Sequence, residues 1–258
     1  MMHERLGIAL LLTALAGLST GIGSAIAYCI KKPKTIYLAF SLGFSAGVMI
    51  YISFMELLPR GLEGSGKAWG IAVFFLGVSF IGLIDLLMPE AKNPHHYKEP
   101  GDITEVQGNE ELKRTGLFTA LAIGIHNFPE GLAAFGAVLS DVKLGIVIAL
   151  AIAIHNIPEG ISVSMPIFYA TGNRKKAFFY SFLTGISEPV GAIIGFLILM
   201  PFLSEGFLAS LLAFIAGIMV YISMDEILPT AHRYGHGHTV IVGLVAGMFV
   251  MALSLLML

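Results

Sequence analysis

The sequence predicts an all-α integral membrane protein, with eight transmembrane helices in a 3+2+3 inverted-repeat arrangement. Three observations predict this class. The 258-residue chain is 56% hydrophobic and only 12% charged, with a mean hydropathy of +0.85, whereas soluble domains carry about 25% charged residues. Eight apolar segments, near 6–30, 36–58, 69–88, 116–138, 143–168, 177–201, 207–229 and 239–257, match or exceed the roughly 20 helical residues that cross a hydrocarbon core. Two sequence patterns also recur at separations that make their copies run in opposite directions.

The first segment is too long for the apolar region of a signal peptide, about 7–15 residues, and it ends at Lys31-Lys32-Pro33-Lys34; a retained helix is expected. Segments five and six are parted by a plain turn, Thr171-Gly172-Asn173-Arg174-Lys175-Lys176. The longest polar stretch, 89–115, is rich in charge, Pro, His and Gly and reads as a loop. No stretch is long enough for a soluble domain, so residues 1–258 are expected to form a single transmembrane domain.

Lys and Arg set the orientation. Loops after segments 1, 3, 5 and 7 hold Lys31, Lys32, Lys34, Lys92, Lys98, Lys113, Arg114, Arg174, Lys175, Lys176 and Arg233, 11 of the 15 basic residues. Arg5, Arg60, Lys67 and Lys143 fall on the other side. In a cell (inner) membrane this puts both termini outside and the 89–115 loop in the cytoplasm. The net charge of -2 speaks against nucleic acid as a partner. Cys29 is the only cysteine, so neither a disulfide framework nor a thiolate cage is available.

Ala46 to Pro59 reads AGVMIYISFMELLP and Ala216 to Pro229 reads AGIMVYISMDEILP, identical at nine of fourteen positions. The copies lie on segments 2 and 7, five crossings apart, and so point in opposite directions. His126-Asn127-Phe128-Pro129-Glu130-Gly131 on segment 4 and His155-Asn156-Ile157-Pro158-Glu159-Gly160 on segment 5 are one crossing apart and also antiparallel. One pseudo-two-fold axis in the membrane plane relates both pairs. Transporters built this way hold substrate near the midplane, at the repeat interface.

The chemistry of the central pair follows from helical spacing. His126 and Glu130 are one turn apart on one face, with Asn127 beside them, and His155, Asn156 and Glu159 repeat the pattern. Glu188, in Ile186-Ser187-Glu188-Pro189, adds a third intramembrane acid. A carboxylate at a helix centre costs about 2.5–3.5 kcal/mol, so the three together cost roughly 8–10 kcal/mol. Protonation, buried partners or a divalent cation could relieve that charge. Lys and Arg are absent from these midplane regions, and a cation is the economical answer. Pro129, Pro158 and Pro189 further release the carbonyls of Ile125, Ile154 and Gly185, which is tolerated at membrane depth where backbone lines a cavity or finds other partners. Three carboxylates, two imidazoles and two amides suit two ions bridged by Glu130 and Glu159. Mixed N and O ligands fit zinc, ferrous iron, manganese or cobalt without favouring one strongly.

These residues resemble the ZIP (Zrt/Irt-like) family of divalent metal transporters, in particular its bacterial branch, over essentially the whole chain. The paired HNFPEG and HNIPEG strings are the specific feature. The resemblance implies uptake of zinc into the cytoplasm, with iron and further divalent ions such as manganese, cobalt and cadmium also accepted. It implies a binuclear site, with Asn127, Glu130, Asn156, Glu159 and Glu188 at one position. Glu130, His155 and Glu159, with His126, would form the adjoining one. Zn2+ and Fe2+ are then cargo rather than catalytic cofactors.

Glu56, at the outer end of segment 2, and Asp225 with Glu226, at the inner end of segment 7, read either as mouth groups on the ion's path or as acids reaching the headgroups. Asp85 is similar. His95, His96, His232, His236 and His238 on inner loops suit either metal capture or plain solvation. Gly43, Gly47, Gly191 and Gly195 are spaced for close helix packing, within the chain or in a homodimer. The alternative to transport is a membrane-embedded two-metal enzyme, a hydrolase or an oxidase. An intramembrane metalloprotease would carry His-Glu-x-x-His, which is absent, and catalysis has no need of symmetry between membrane faces. A metal sensor would need a soluble output domain. The sequence therefore predicts a transporter and not an enzyme.

Overall fold

The computed structural model describes residues 2–29, 35–87, 110–199 and 204–257. All of its regular structure is helical among these residues. In chain order the helices are α1 (Met2–Cys29), α2 (Thr35–Ile52), α3 (Leu58–Ser65), α4 (Lys67–Leu87), α5 (Glu110–Ser140) and α6 (Val142–Thr171). They continue with α7 (Arg174–Leu199), α8 (Glu205–Ile222), α9 (Leu228–Arg233) and α10 (Gly237–Met257). Seven continuous helical stretches among the described residues are long and apolar enough to cross a membrane. The fourth expected segment lies within α5, where several side chains are outside the described residues. Most of the expected 89–115 loop, with His95 and His96, also lies outside them. Its last six residues, 110–115, instead begin α5; Glu110, Glu111, Leu112, Lys113 and Arg114 are strong helix formers, and the two acids favour a helix start.

Local chemistry sets the helix ends. The Asp141 carboxylate accepts from the Leu144 N–H at 2.8 Å and caps α6, so one extended residue reverses the chain between α5 and α6. Gly172 closes α6 with φ 63, a left-handed conformation that costs glycine least. The Asn173 side-chain oxygen then accepts from Lys176 N–H at 3.0 Å and starts α7.

The two fourteen-residue copies share one distortion. The helix widens into a π turn at Ser53–Leu57 and again at Ser223–Ile227. The N–H groups of Leu58 and Leu228 reach back five residues to the carbonyls of Ser53 and Ser223. Pro59 and Pro229 follow directly; lacking an N–H, neither can continue the regular ladder. Ser53 and Ser223 also bond back to Met49 and Met219, each at 2.7 Å. Sequence identity here extends to a shared backbone irregularity.

Large apolar side chains such as Leu86, Leu197, Phe249 and Leu256 point outward, while Ser19, Thr20, Ser24, Asn127, Glu130, His155, Asn156, Glu159 and Glu188 are buried. An apolar exterior around a polar interior suits lipid as the surrounding solvent. Glycine lets the helices approach closely. Gly43 and Gly47 of α2 lie against the backbone of Val240 and Leu244 in α10, and Gly77 and Gly217 join α4 to α8. Gly191 lies against Phe128, and Gly195 against the Leu132 side chain. All four glycines marked for close packing thus serve contacts inside the chain.

Candidate functional site

The site lies where α5, α6 and α7 meet, with α1 and α2 alongside. Pro129 and Pro189 sit inside helices that continue past them. The carbonyl that Pro189 releases, that of Gly185, lies against Gly17 of α1. Gly131, the last residue of its motif, lies against the Glu188 backbone, and Gly160 against that of Thr20. Small residues after each Glu therefore let α7 and α1 close onto the acidic faces of α5 and α6.

Glu130, His155 and Glu159 each offer a ligand atom, all within 4.8 Å of one another, and all three residues are buried. His155 Nε2 is 3.3 Å from Glu130 Oε2. The other ring nitrogen, Nδ1, lies 3.0 Å from the Ala151 carbonyl oxygen. A carbonyl only accepts, so in the neutral ring Nδ1 carries the proton and the Nε2 lone pair faces the acids. This is how a second hydrogen bond orients a metal-binding imidazole. Ser45 Oγ, from α2, donates to Glu159 Oε1 at 3.3 Å.

Glu188 belongs to an adjoining group. Asn156 Nδ2 donates to Glu188 Oε1 and to the Ala16 carbonyl at 3.0 Å. Asn127 Nδ2 lies 3.4 Å from Glu188 Oε1 and 3.3 Å from the Thr184 carbonyl. Both amides thus spend their donors on carbonyls and Glu188, which leaves their oxygens turned elsewhere. Asn127 Oδ1, Asn156 Oδ1, Glu130 Oε1 and Glu188 Oε2 are buried with no hydrogen-bond partner among the described residues. Such groups are costly to bury unless something satisfies them. All four are acceptors, and only a donor or a cation can satisfy them. No Lys or Arg occurs between Lys143 and Arg174, nor between Lys176 and the end of α7.

Six of the seven residues expected at a metal site are therefore gathered in one buried region. The seventh, His126, lies on α5, but its side chain is outside the described residues. Ser45 was missed by sequence reading. Its signal was position, directly before the repeated Ala46–Pro59 stretch, but a lone serine in an apolar helix carries no chemistry by itself. Glu56 lies in the first π turn and pairs with Arg60 at 2.5 Å; Asp225 and Glu226 lie in the second.

A family model described as ZIP Zinc transporter matches residues 86–255, about two thirds of the chain. The chain is 58% identical over 259 residues to a protein of Chlorobium phaeovibrioides named Zinc transporter ZupT, covering 97% of each. It is 53% identical to the protein of that name from Clostridium perfringens, covering 97% of this chain and 95% of the other. It is 51% identical to that from Campylobacter jejuni, covering 98% and 97%.

Proposed function

The chain belongs to the ZIP zinc transporter family, and from that premise we propose that it carries zinc across the cell membrane into the cytoplasm. Iron, and less centrally manganese, cobalt or cadmium, are further cargo that the nitrogen and oxygen donors accommodate. The observation that carries this reading is the buried set of converging acceptors at Glu130, His155, Glu159, Asn127, Asn156 and Glu188. A partly dehydrated divalent cation satisfies them together, and no basic side chain in α5, α6 or α7 competes at that depth.

The proposed site is binuclear. Glu130, His155 and Glu159, with His126, hold one ion; Asn127, Glu130, Asn156, Glu159 and Glu188 hold the other. Zinc exchanges water for these groups after passing Glu56 and leaves inward past Asp225 and Glu226. Carboxylates that must be deprotonated to bind metal give the cycle a proton dependence.

The proposed architecture is one transmembrane domain over 1–258, with eight spans, a 3+2+3 inverted repeat, both termini outside and the 89–115 loop in the cytoplasm. Several correspondences support it. The π turns fall at matching places in the two long copies. Gly47 meets Leu244 as Gly217 meets Phe74, and Gly23 meets Ile157 as Gly191 meets Phe128. The two Asn side chains reach Ala16 and Thr184, equivalent places on α1 and α7. Symmetry of this kind serves alternating access, where the same site must face both sides; the alternative of a two-metal membrane enzyme has no such need.

Radiolabelled zinc and iron uptake into proteoliposomes, with wild type compared with Glu159→Ala, tests the function. Saturable zinc uptake abolished by the substitution is expected. Uptake unaffected by it would remove the site, and no saturable uptake of any divalent metal would remove the transport reading.

A further inference from the structure

We propose that Thr20 is a further residue of the metal site, its hydroxyl binding a water carried by the cation on the α1 side. The inference rests on the transport site proposed above and adds a group that the sequence motifs do not mark. Three contacts place Thr20 in α1 where Glu188 stands in α7. Gly17 and Gly185 face each other across the two helices, each against the other's carbonyl. Three residues farther on, Gly160 closes on the Thr20 carbonyl as Gly131 closes on that of Glu188. One turn before each, Ala16 accepts from Asn156 and Thr184 from Asn127. Every relation fits the same offset between the helices, so Thr20 and Glu188 hold matching places on the two helices that pack against the motif pair.

The side chain itself gives the second observation. Thr20 is fully buried, and its Oγ1 has no hydrogen-bond partner among the described residues. Other buried hydroxyls of α1 bond back to their own helix: Thr13 to Ala9 at 2.8 Å, Ser19 to Ala16 at 2.6 Å and Ser24 to Thr20 at 2.9 Å. Thr20 does not, and the carbonyl one turn behind it already accepts from Ser19 and Asn156. A buried hydroxyl denied its usual partner needs another. A water on a divalent cation is a strengthened donor and can supply one.

The chemistry also explains why a threonine stands opposite a glutamate. A fourth carboxylate would hold a divalent ion more tightly and slow its release, whereas a neutral hydroxyl orients the hydration shell without adding charge. Because the smaller zinc ion polarises its bound water more strongly than cadmium does, loss of the hydroxyl that accepts from that water should not weaken both ions alike.

The test measures equilibrium binding of zinc-65 and cadmium-109 to the full-length purified protein. Thr20→Val, which keeps the shape and removes the hydroxyl, should weaken zinc binding about tenfold, as loss of a supporting group does in metal sites, and cadmium binding less. Thr20→Ser should restore wild-type binding. Unchanged zinc binding in Thr20→Val, or equal losses for both metals, would overturn the inference. Thr20→Ala serves the same comparison should the valine variant fold poorly. Glu159→Ala, run alongside, separates the two ideas. If it abolishes binding while Thr20→Val does not affect it, only the role of Thr20 fails; if it also binds normally, the site itself fails.

Discussion

Asn156 offers the sharpest perturbation, because one amide group holds two helices to α6. Its Nδ2 donates to the Ala16 carbonyl on α1 at 3.0 Å and to Glu188 Oε1 on α7. Asn156→Ala removes one neutral hydrogen bond, about 1 kcal/mol, and one to a carboxylate, about 1.5–3 kcal/mol. The metal-free protein should then lose about 2.5–4 kcal/mol of stability, lowering its melting midpoint by roughly 5–10 °C. A double-mutant cycle isolates the ionic part. In a Glu188→Ala background, Asn156→Ala should cost only the Ala16 bond, leaving a coupling of about 1.5–3 kcal/mol between the two residues. The longer bonds of Asn127, 3.3 Å to Thr184 and 3.4 Å to Glu188, make Asn127→Ala the milder change. Thermal unfolding of purified protein in detergent, without metal, reads all of these. An unchanged midpoint in Asn156→Ala, or additive effects with Glu188→Ala, would mean that this amide does not tie α1 and α7 to α6.

Three further outcomes follow from the same geometry. Gly131→Ala should destabilise the protein by about 1–3 kcal/mol, because a Cβ there would lie 2.7 Å from Glu188 Cα; Gly124→Ala, with nothing within 4 Å, should be neutral or stabilising by up to about 1 kcal/mol, and thermal melts compare the two. Ser45→Ala removes a long bond to Glu159, worth about 1 kcal/mol at most, so the zinc concentration for half-maximal uptake should rise no more than about fivefold, measured as initial rates. Zinc binding should weaken as pH falls. The cation needs the lone pair of His155 and ionised carboxylates, so protons compete with it; titration calorimetry at several pH values should show proton release on binding.

The legible part of this molecule was the part that violates lipid chemistry. Acids, amides and imidazoles at the centres of apolar segments stand out because their burial is expensive, which is how Glu130, His155, Asn156, Glu159 and Glu188 are marked in the sequence, and all five are buried. The helical type was readable from hydropathy for the same reason, and seven helical stretches among the described residues are long and apolar enough to span a membrane. The repeated fourteen-residue stretches suggested symmetry, but not the π turns at Ser53–Leu57 and Ser223–Ile227, which depend on how a widened backbone fits its neighbours. Thr20 and Ser45 were hidden because a hydroxyl in an apolar helix normally bonds its own backbone, and only packing reveals which one does not. The start of α5 at Glu110 was missed because a polar, charged stretch was read as loop; local helix propensity carried the helix beyond its apolar core.

The proposed transport rests on cations held between α5, α6 and α7, one of them by Glu130, His155 and Glu159. Anomalous diffraction from crystals loaded with zinc, collected at the zinc edge, tests it most directly. A peak is expected within about 2.0–2.2 Å of His155 Nε2 and of oxygens from Glu130 and Glu159, absent from crystals of Glu159→Ala. Strong peaks confined to Glu56, Asp225 or Glu226, with none between α5 and α6, would contradict it.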